Sequence, residues 1–254
     1  HTGDMAAAGH IVGGLQPSST YYFRVRTYTP TIGTIQPNEL WSDYTGVVSA
    51  STTQMAGLFA DVPVTGKEWM QPWIENFYNA GITTGCAANP LQYCPEREVT
   101  RAEMAVFVLR ALNYPHLPYT PPGQSGTFAD VPVGGKEWME PWVEQFYDLG
   151  ITTGCAANPL AYCPERQVTR AEMVVFILRA KYGGGYQPPP GSGTFADVPV
   201  GGKEWMQPWI EQFYREGITT GCAASPLQYC PERPVTRAEM AVFILRAFDH
   251  LPSP

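Results

Sequence analysis

Cysteine pairs recur at three matching places along the chain. They are Cys86/Cys94, Cys155/Cys163 and Cys222/Cys230, with seven residues between the members of each pair. Such a pair can form a disulfide in an oxidising compartment, or supply half of the four ligands of a zinc site. The four histidines lie elsewhere in the sequence, at His1, His10, His116 and His250. A bridge within each pair is therefore favoured, and with it an extracellular location.

An arginine recurs in the motif Thr-Arg-Ala-Glu. The box arginines are Arg101, Arg170 and Arg237. Threonine followed three residues later by glutamate is a capping box that starts a helix, so each arginine follows directly on the helix cap. Its charge opposes the helix dipole there, but its guanidinium suits a ligand carboxylate or phosphate. Two hypotheses stay open, an exposed ligand-binding arginine that adds little to stability, and a salt bridge to the motif glutamate or a nearby aspartate.

Three further sets suit binding rather than catalysis. The opening aspartates are Asp61, Asp130 and Asp197. They can bond sugar hydroxyls or, as we favour, cap a turn before the proline two residues on. The first tryptophans are Trp69, Trp138 and Trp205, and the second tryptophans are Trp73, Trp142 and Trp209. The first set can stack on a sugar ring, but a core position is favoured for both. The pre-helix lysines, Lys67, Lys136 and Lys203, can line an anion-binding groove but are favoured as solvated charges.

These residues belong to a sequence segment that occurs three times in the chain. Repeat 1 spans residues 57–113, repeat 2 spans 127–182 and repeat 3 spans 194–250. The linkers 114–126 and 183–193 are rich in proline and glycine and predict stiff spacers. A single asymmetric active site does not fit residues that all occur in triplicate, and the sequence contains no recognisable nucleophile–base pair, metal cluster or phosphate loop. We therefore expect no catalysis, no metal and no cofactor.

Each repeat predicts a helix, a loop and a second helix. Apolar residues at helical spacing predict a first helix from about Glu68 to Ala80. Pro72 lies in its first turn and Gly81 ends it. The second helix runs from Thr100 to about Leu112. So small a unit cannot bury both helix faces, and the repeats must pack on one another. The predicted fold is mostly α, with a small N-terminal β segment.

Residues 1–54 differ from the repeats. Strands are predicted at Tyr21–Tyr28, with one solvated face, at Gly46–Thr52 and at His10–Val12. The pattern Leu15-x-Pro-x-x-x-Tyr21 resembles the tyrosine corner of fibronectin type III domains, and Trp41-Ser-Asp before the last strand resembles that family's end. The resemblance covers the last three strands, so the earlier strands are expected upstream of His1, in a longer parent protein.

The repeats resemble the S-layer homology domain. The resemblance rests on the Phe-x-Asp-Val opening, the tryptophan-led helix, the Gly-Ile turn and the Thr-Arg-Ala-Glu motif, in that order over residues 57–250. It implies a pseudo-trimeric helical bundle whose grooves bind an anionic, often pyruvylated, cell-wall polysaccharide without catalysis. The groove arginines would be the box arginines. The cystine loop Cys86–Cys94 is longer than the usual turn of that family, which leaves the glycan's identity open.

The composition of the chain narrows the classes of molecule that it is expected to bind. The net charge is −7 and charged residues make up 15% of the chain, which argues against nucleic acid. No apolar run approaches the ~20 residues of a membrane-spanning helix, so no membrane insertion is expected. The first hypothesis is a cell-surface anchoring module that binds cell-wall polysaccharide. The second is a structural subunit of a surface layer or filament, assembled by self-association or with neighbouring surface proteins.

Residues 9–53 are predicted not to fold alone. Three strands of a larger sandwich leave an apolar sheet face and an edge uncovered. Expressed as a fragment, this segment should aggregate or stay unfolded, as monitored by circular dichroism and gel filtration. A monomer that melts cooperatively would contradict the incomplete-sandwich interpretation.

Overall fold

The computed structural model describes residues 20–24, 26–29, 40–51, 57–62, 66–123, 126–132, 134–199 and 201–248. The chain divides into two compact units, His1–Ala56 and Gly57–Pro254. Over the described residues the secondary structure is mostly helical, with a small antiparallel β segment in the first unit. This confirms the predicted fold class. The finer division into repeats and linkers stays a prediction.

The first unit contains two short strand pairs among its described residues. β1 (Thr20–Phe23) pairs antiparallel with β4 (Val48–Ser51), and β2 (Tyr28–Thr29) pairs with β3 (Leu40–Trp41). In β1, Tyr22 is exposed and its neighbours are half-buried, which confirms one solvated face. A continuous strand from Tyr21 to Tyr28 was the wrong prediction, because the chain changes its pairing partner from β4 to β3 after Phe23.

Two expectations for this unit concern other residues. The strand predicted at His10–Val12 and the Leu15 and Pro17 positions of the tyrosine corner lie outside the described residues. The fibronectin type III resemblance therefore stays a prediction.

The second unit is built from three helix pairs. The outer helices are α1 (Gln71–Asn79), α3 (Glu140–Asp148) and α5 (Met206–Arg215). The inner helices are α2 (Arg101–Leu112), α4 (Arg170–Tyr182) and α6 (Arg237–Ala247). A two-stranded hairpin in each cystine loop joins outer to inner helix. The hairpins pair β5 (Ala87–Ala88) with β6 (Leu91–Gln92), β7 (Ala156–Ala157) with β8 (Leu160–Ala161), and β9 (Ala223–Ala224) with β10 (Leu227–Gln228).

The outer helix begins later than the sequence predicted. In repeat 1 a 3-10 turn, Glu68–Met70, precedes α1, and the Met70 N–H donates to the Lys67 carbonyl. Pro72 lacks the N–H that would bond the Glu68 carbonyl in an α-helix, so the first turn takes the tighter form. The predicted end is confirmed, because Gly81 adopts a φ of 72° after α1, a conformation that glycine accepts at little cost.

The capping boxes are present in all three repeats. In repeat 1 the Glu103 N–H donates to the Thr100 hydroxyl at 3.3 Å, and the Thr100 N–H donates to the Glu103 carboxylate at 3.1 Å. The same two bonds occur at Thr169 and Thr236. The inner helices that begin at these boxes are buried along most of their length and form the centre of the unit.

Packing runs from one repeat to the next. Each outer helix packs on the inner helix of the preceding repeat, α3 on α2 and α5 on α4, while α1 packs on α6 and closes the ring. The inner helices also contact one another. The arrangement is the pseudo-trimeric bundle that was predicted, and each core face is completed by a neighbour.

A cyclic set of backbone hydrogen bonds lies at the start of the inner helices. The N–H of Val99 donates to Val235, that of Val235 to Val168, and that of Val168 to Val99, each at 3.0 Å. The first two N–H groups of α2, on Arg101 and Ala102, donate to carbonyls of repeat 2 that follow its cystine loop. Helices α4 and α6 bond the carbonyls of repeats 3 and 1 in the same way. The amides that a helix start leaves without intrahelical partners are thus satisfied by the adjacent repeat.

The linkers do more than space the repeats. Tyr119 of the first linker packs edge-on against Trp142 at 5.9 Å, and Tyr186 of the second packs against Trp209 at 6.0 Å. The Glu211 carboxylate also accepts the backbone N–H groups of Ser192 and Gly193 at the end of the second linker. An aromatic contact therefore attaches each linker to the repeat that follows, and a polar contact does so for the second linker, while the stiffness of the linkers stays a prediction.

Each cysteine pair is bridged within its own repeat. The disulfides are Cys86–Cys94, Cys155–Cys163 and Cys222–Cys230. This pairing is the predicted one. The second cysteine of each pair lies within three residues of the carbonyls that cap the neighbouring inner helix. The bridge consequently constrains the part of the loop that contacts the next repeat.

Reduction of the bridges should lower thermal stability without removing the helices. Closing so short a loop contributes about 2–3 kcal/mol per bridge in the chain-entropy model, and all six helices lie outside the closed loops. The Cys155→Ser/Cys163→Ser variant should melt at a lower temperature with an unchanged far-ultraviolet spectrum at 20 °C. Free thiols or bridges between repeats in non-reducing peptide maps of the parent would contradict the assignment.

Candidate functional site

The box arginines are buried at the repeat interfaces. Arg101 is 2% exposed, Arg170 is 1% exposed and Arg237 is 2% exposed. The expectation of an exposed cation at the helix start is wrong. The side chain extends away from its own helix and enters the adjacent repeat, where it fills a polar slot. Whether these arginines touch a ligand stays a prediction.

Arg237 illustrates how the guanidinium is held. Its Nε donates to the Tyr93 carbonyl at 2.8 Å, and Nη1 donates to the Glu103 carboxylate at 3.2 Å. The group also lies over the rings of Tyr93 and Phe107, at 4.8 and 5.3 Å from their centroids. In return the Tyr93 hydroxyl donates to the Arg237 backbone carbonyl. The salt-bridge hypothesis is therefore correct in kind, but the glutamate belongs to the next repeat around the ring.

The same contacts occur at the other two interfaces. Arg101 Nε donates to the Tyr162 carbonyl at 2.7 Å, and its Nη1 lies 3.6 Å from the Glu172 carboxylate. Arg170 Nε donates to the Tyr229 carbonyl at 2.9 Å, and its Nη1 bonds Glu239 at 3.0 Å. The three motif glutamates, Glu103, Glu172 and Glu239, are called the box glutamates below.

Electrostatics at these interfaces favour charged pairs. Burial alone would raise the pKa of the Glu103 carboxyl, but hydrogen bonds from the Arg97 side chain and the Thr100 backbone, together with the Arg237 charge, hold that pKa below its ordinary value. Burial also lowers the pKa of the Arg237 guanidinium, although nearby Tyr93 and Glu103 oppose this. Arginine starts from so high a pKa that it remains protonated. Each interface thus contains an ionised pair rather than a neutral one.

The opening aspartates hold the cystine loops. Both Asp61 oxygens accept backbone N–H groups, from Tyr93 at 2.9 Å and from Cys94 at 2.7 Å. Asp130 and Asp197 make the equivalent bonds in repeats 2 and 3. The favoured interpretation, a cap on the turn before the proline, named the wrong partner. The carboxylate stabilises a loop 32 residues further along, where Cys94 adopts a φ of 55°.

The cystine sulfurs near these aspartates do not form a metal site. Each opening aspartate lies close to both sulfurs of its loop. The sulfurs are joined in disulfides, so they lack the thiolate that binds metal ions. The cluster is explained by loop structure.

The two sets of tryptophans have different positions. The first tryptophans are half-exposed, with 54%, 50% and 49% of the side chain accessible at Trp69, Trp138 and Trp205. A core position was favoured for them, and this is wrong, because the residue precedes the buried stripe of the outer helix, in a 3-10 turn in repeats 1 and 2 and at the N-cap of α5 in repeat 3. Trp142 and Trp209 are buried and Trp73 is partly buried, which confirms the core assignment of the second tryptophans.

Grooves lie between adjacent repeats of the second unit. The groove between repeats 1 and 2, called groove 1/2, has a volume of about 380 Å³. Its lining includes Thr83, Thr84, Glu103, Phe107 and Arg110 of repeat 1, Trp138 and Trp142 of repeat 2, and Arg237 of repeat 3. Groove 3/1, of about 340 Å³, repeats this pattern with Thr219, Thr220, Arg233, Glu239, Phe243, Arg246, Trp69 and Arg170. A first tryptophan and several arginines therefore border each groove.

The arginine at the end of each inner helix was not predicted as a site residue from the sequence. The helix-end arginines are Arg110, Arg179 and Arg246. Arg110 lies over the Trp142 ring at 5.3 Å from the centroid, and its Nη1 donates to the Ile82 carbonyl at 3.1 Å. Arg179 contacts Trp209 and Arg246 contacts Trp73 in the same way. The signal was present, because Leu-Arg-Ala closes the apolar run of the inner helix in every repeat.

The pre-helix lysines form exposed ion pairs. Lys67 bonds Glu96 at 2.7 Å, Lys136 bonds Glu165 at 2.5 Å and Lys203 bonds Glu232 at 2.6 Å. Each lysine side chain is 46% exposed. They are absent from the linings of grooves 1/2 and 3/1. A solvated charge was the favoured interpretation, and the pairing with glutamate refines it.

Comparison with known proteins places this geometry in context. No protein-family model matches the sequence. An endoglucanase from Bacillus sp. (strain KSM-635) is 28% identical over half of this chain, and an amylopullulanase from Thermoanaerobacterium thermosulfurigenes is 30% identical over 69% of it. A cell surface protein from Thermoanaerobacter kivui is 28% identical over 52%. The chain spans only 12%, 9% and 16% of the length of these relatives, respectively.

These relatives are thus similar to this chain in a small part of their own length, and their names indicate enzymes in two cases and a surface protein in the third. Among the described residues, none of the helices is both long and apolar enough to cross a membrane.

Replacement of one box arginine should strongly destabilise the second unit. Arg170→Ala leaves the Tyr229 carbonyl and the Glu239 carboxylate without their buried partner, which typically costs about 3 kcal/mol or more. Urea denaturation followed by tryptophan fluorescence measures the change. The matched control is Lys136→Ala, which breaks an exposed ion pair worth ~0–1 kcal/mol. Equal stability of the two variants would mean that the buried arginine is not a structural contact.

Proposed function

We propose that this chain is a non-catalytic, extracellular anchoring module of a larger cell-surface protein, and that it binds an anionic cell-wall polysaccharide in the grooves between its repeats. By the S-layer homology resemblance, that polymer is expected to be pyruvylated. The observation that carries the proposal is the half-exposed first tryptophan at the edge of a groove. Trp138 lines groove 1/2 and Trp69 lines groove 3/1, and Trp205 is exposed to a similar extent at the equivalent position of repeat 3.

An exposed tryptophan in each repeat calls for a functional explanation. Large aromatic side chains are usually buried in part against the protein, and an exposed set at equivalent positions marks a binding surface. The flat apolar face of an indole suits the C–H face of a sugar ring, while the threonines and arginines of the same groove supply polar contacts to hydroxyls and to negative charge. A pocket with aromatic and a few polar groups is typical of small-ligand sites.

The relatives support an accessory role. Parts that resemble this chain occupy 12%, 9% and 16% of an endoglucanase, an amylopullulanase and a cell surface protein. A segment so small and shared by proteins of different names fits a targeting module better than a catalytic domain. An extracellular location also fits the three disulfides, which persist in oxidising compartments.

The triple variant Trp69→Ala/Trp138→Ala/Trp205→Ala tests the proposal. Co-sedimentation with purified bacterial cell walls should fall by at least tenfold, equivalent to about 1.4 kcal/mol, while the melting temperature stays close to that of the parent because the side chains are exposed. Tyr22→Ala is the control, since it removes an exposed aromatic ring from the first unit. Walls stripped of their anionic polymer should no longer retain the parent.

Two results would argue for the other hypothesis. If the parent binds stripped and intact walls equally, the anionic polymer is not the ligand. If the chain instead self-associates in sedimentation velocity experiments without any wall, a structural subunit of a surface layer or filament becomes the better explanation.

A further inference from the structure

We propose that the helix-end arginines, rather than the box arginines, bind the carboxylate that the proposed pyruvylated polysaccharide carries. The inference rests on the proposed function. It assigns the contact with the ligand's negative charge to arginines that were not predicted as site residues from the sequence. Grooves 1/2 and 3/1 would then each offer a helix-end guanidinium, Arg110 or Arg246, beside an exposed first tryptophan.

The box arginines are already engaged inside the protein. Arg237 bonds a backbone carbonyl, a carboxylate and the Thr83 hydroxyl, and two aromatic rings cover its faces. Arg170 has one nitrogen, Nη2, without a hydrogen-bond partner, but that atom is buried. A ligand could reach these guanidinium groups only by displacing the box glutamate or the loop tyrosine that holds each interface together.

The helix-end arginines are open by comparison. Arg110 and Arg179 are half-buried and Arg246 is exposed. Arg110 donates one hydrogen bond to a backbone carbonyl, and within the described part of the chain no carboxylate lies in salt-bridge range of any helix-end arginine. These cations thus retain hydrogen-bonding capacity that the protein does not use.

Most arginines of the chain lie at three recurring positions of the repeats. Although the chain carries a net charge of −7, nine of its twelve arginines belong to the box, the helix ends and the position after the cystine loop (Arg97, Arg166 and Arg233). In groove 1/2 the Glu103 carboxylate is shared by Arg97 and Arg237. Glu103 is thus engaged by two other arginines, and the Arg110 guanidinium has no carboxylate partner among the described residues.

Geometry favours a carboxylate as the ligand group. The Trp142 ring occupies one side of the Arg110 guanidinium, with the ring centroid 5.3 Å from Cζ, and a ligand can approach the N–H edge of the group. That edge is a planar fork of N–H donors which matches a carboxylate in bidentate fashion. The first tryptophan Trp138 lines the same groove. A sugar stacked on its indole would place a carboxylate substituent within the same groove as the fork.

The test compares a charged polymer with its neutral form. Polysaccharide released from bacterial cell walls is used either intact or after its carboxyl groups have been reduced to alcohols, and binding is measured by calorimetry on the full chain. The parent should bind the intact polymer at least tenfold more tightly. The variant Arg110→Gln/Arg179→Gln/Arg246→Gln should bind both forms equally, at the level of the reduced polymer.

A matched control separates local from general electrostatics. Lys67→Gln/Lys136→Gln/Lys203→Gln removes the same number of positive charges from exposed ion pairs of the same repeats, and it should keep the full preference for the intact polymer. Arg246→Gln alone guards against misfolding, because this side chain is exposed, and it should lose the carboxylate-dependent binding at groove 3/1 while groove 1/2 keeps its own.

Each outcome has one meaning. If the helix-end triple variant and the Arg246→Gln variant keep the preference, or if inorganic phosphate competes as well as sodium glucuronate, the assignment is wrong although polysaccharide binding stands. If the parent binds both forms equally but the first-tryptophan variant loses binding, the ligand is neutral and the arginine assignment fails. If the parent binds neither form, the proposed function itself is overturned.

Discussion

The start of each inner helix depends on the next repeat. A helix leaves its first amide N–H groups without intrahelical partners, and a threonine cap satisfies only part of that set. Here the amides of the first two helical residues, Arg101 and Ala102 in repeat 1, bond carbonyls that follow the neighbouring cystine loop. The box arginine enters the same loop and bonds its tyrosine carbonyl. The positions of the disulfide, the opening aspartate and the helix cap all follow from this junction.

The junction explains why the polar and aromatic residues that recur in every repeat have two distinct roles. Residues that look suited to ligands, the box arginines and opening aspartates, have their polar atoms bonded to backbone and glutamate groups of the protein. Residues at the rim, the first tryptophans and helix-end arginines, keep faces and donors available. A charged side chain buried between repeats is costly to remove, whereas one at the rim can change with little effect on folding.

Local sequence patterns predicted the local structure well. The Thr-Arg-Ala-Glu boxes, the glycine after α1 and the cysteine spacing each depend on residues close together in the chain, and the structure contains the capping boxes, the helix end and the bridges. Prediction failed where the partner came from another repeat. Nothing near Arg101 in the sequence shows that Tyr162 and Glu172 bury it, and identical copies give no means of telling which neighbour supplies the contact. Trp69 was misplaced because the stripe was extended one turn too early, into a 3-10 turn.

The closing contact of α1 with α6 has a consequence for how such a chain can arise. Every interface joins unlike surfaces, and the rotation closes after three copies, which is the geometry of a cyclic homotrimer. Besides their contacts with the following repeat, the linkers then raise the effective concentration of partners that already fit one another. A single ancestral repeat could therefore have assembled as three separate chains before gene duplication joined them. Each copy can diverge at its groove, but a change at its junction must suit both the repeat before it and the repeat after it.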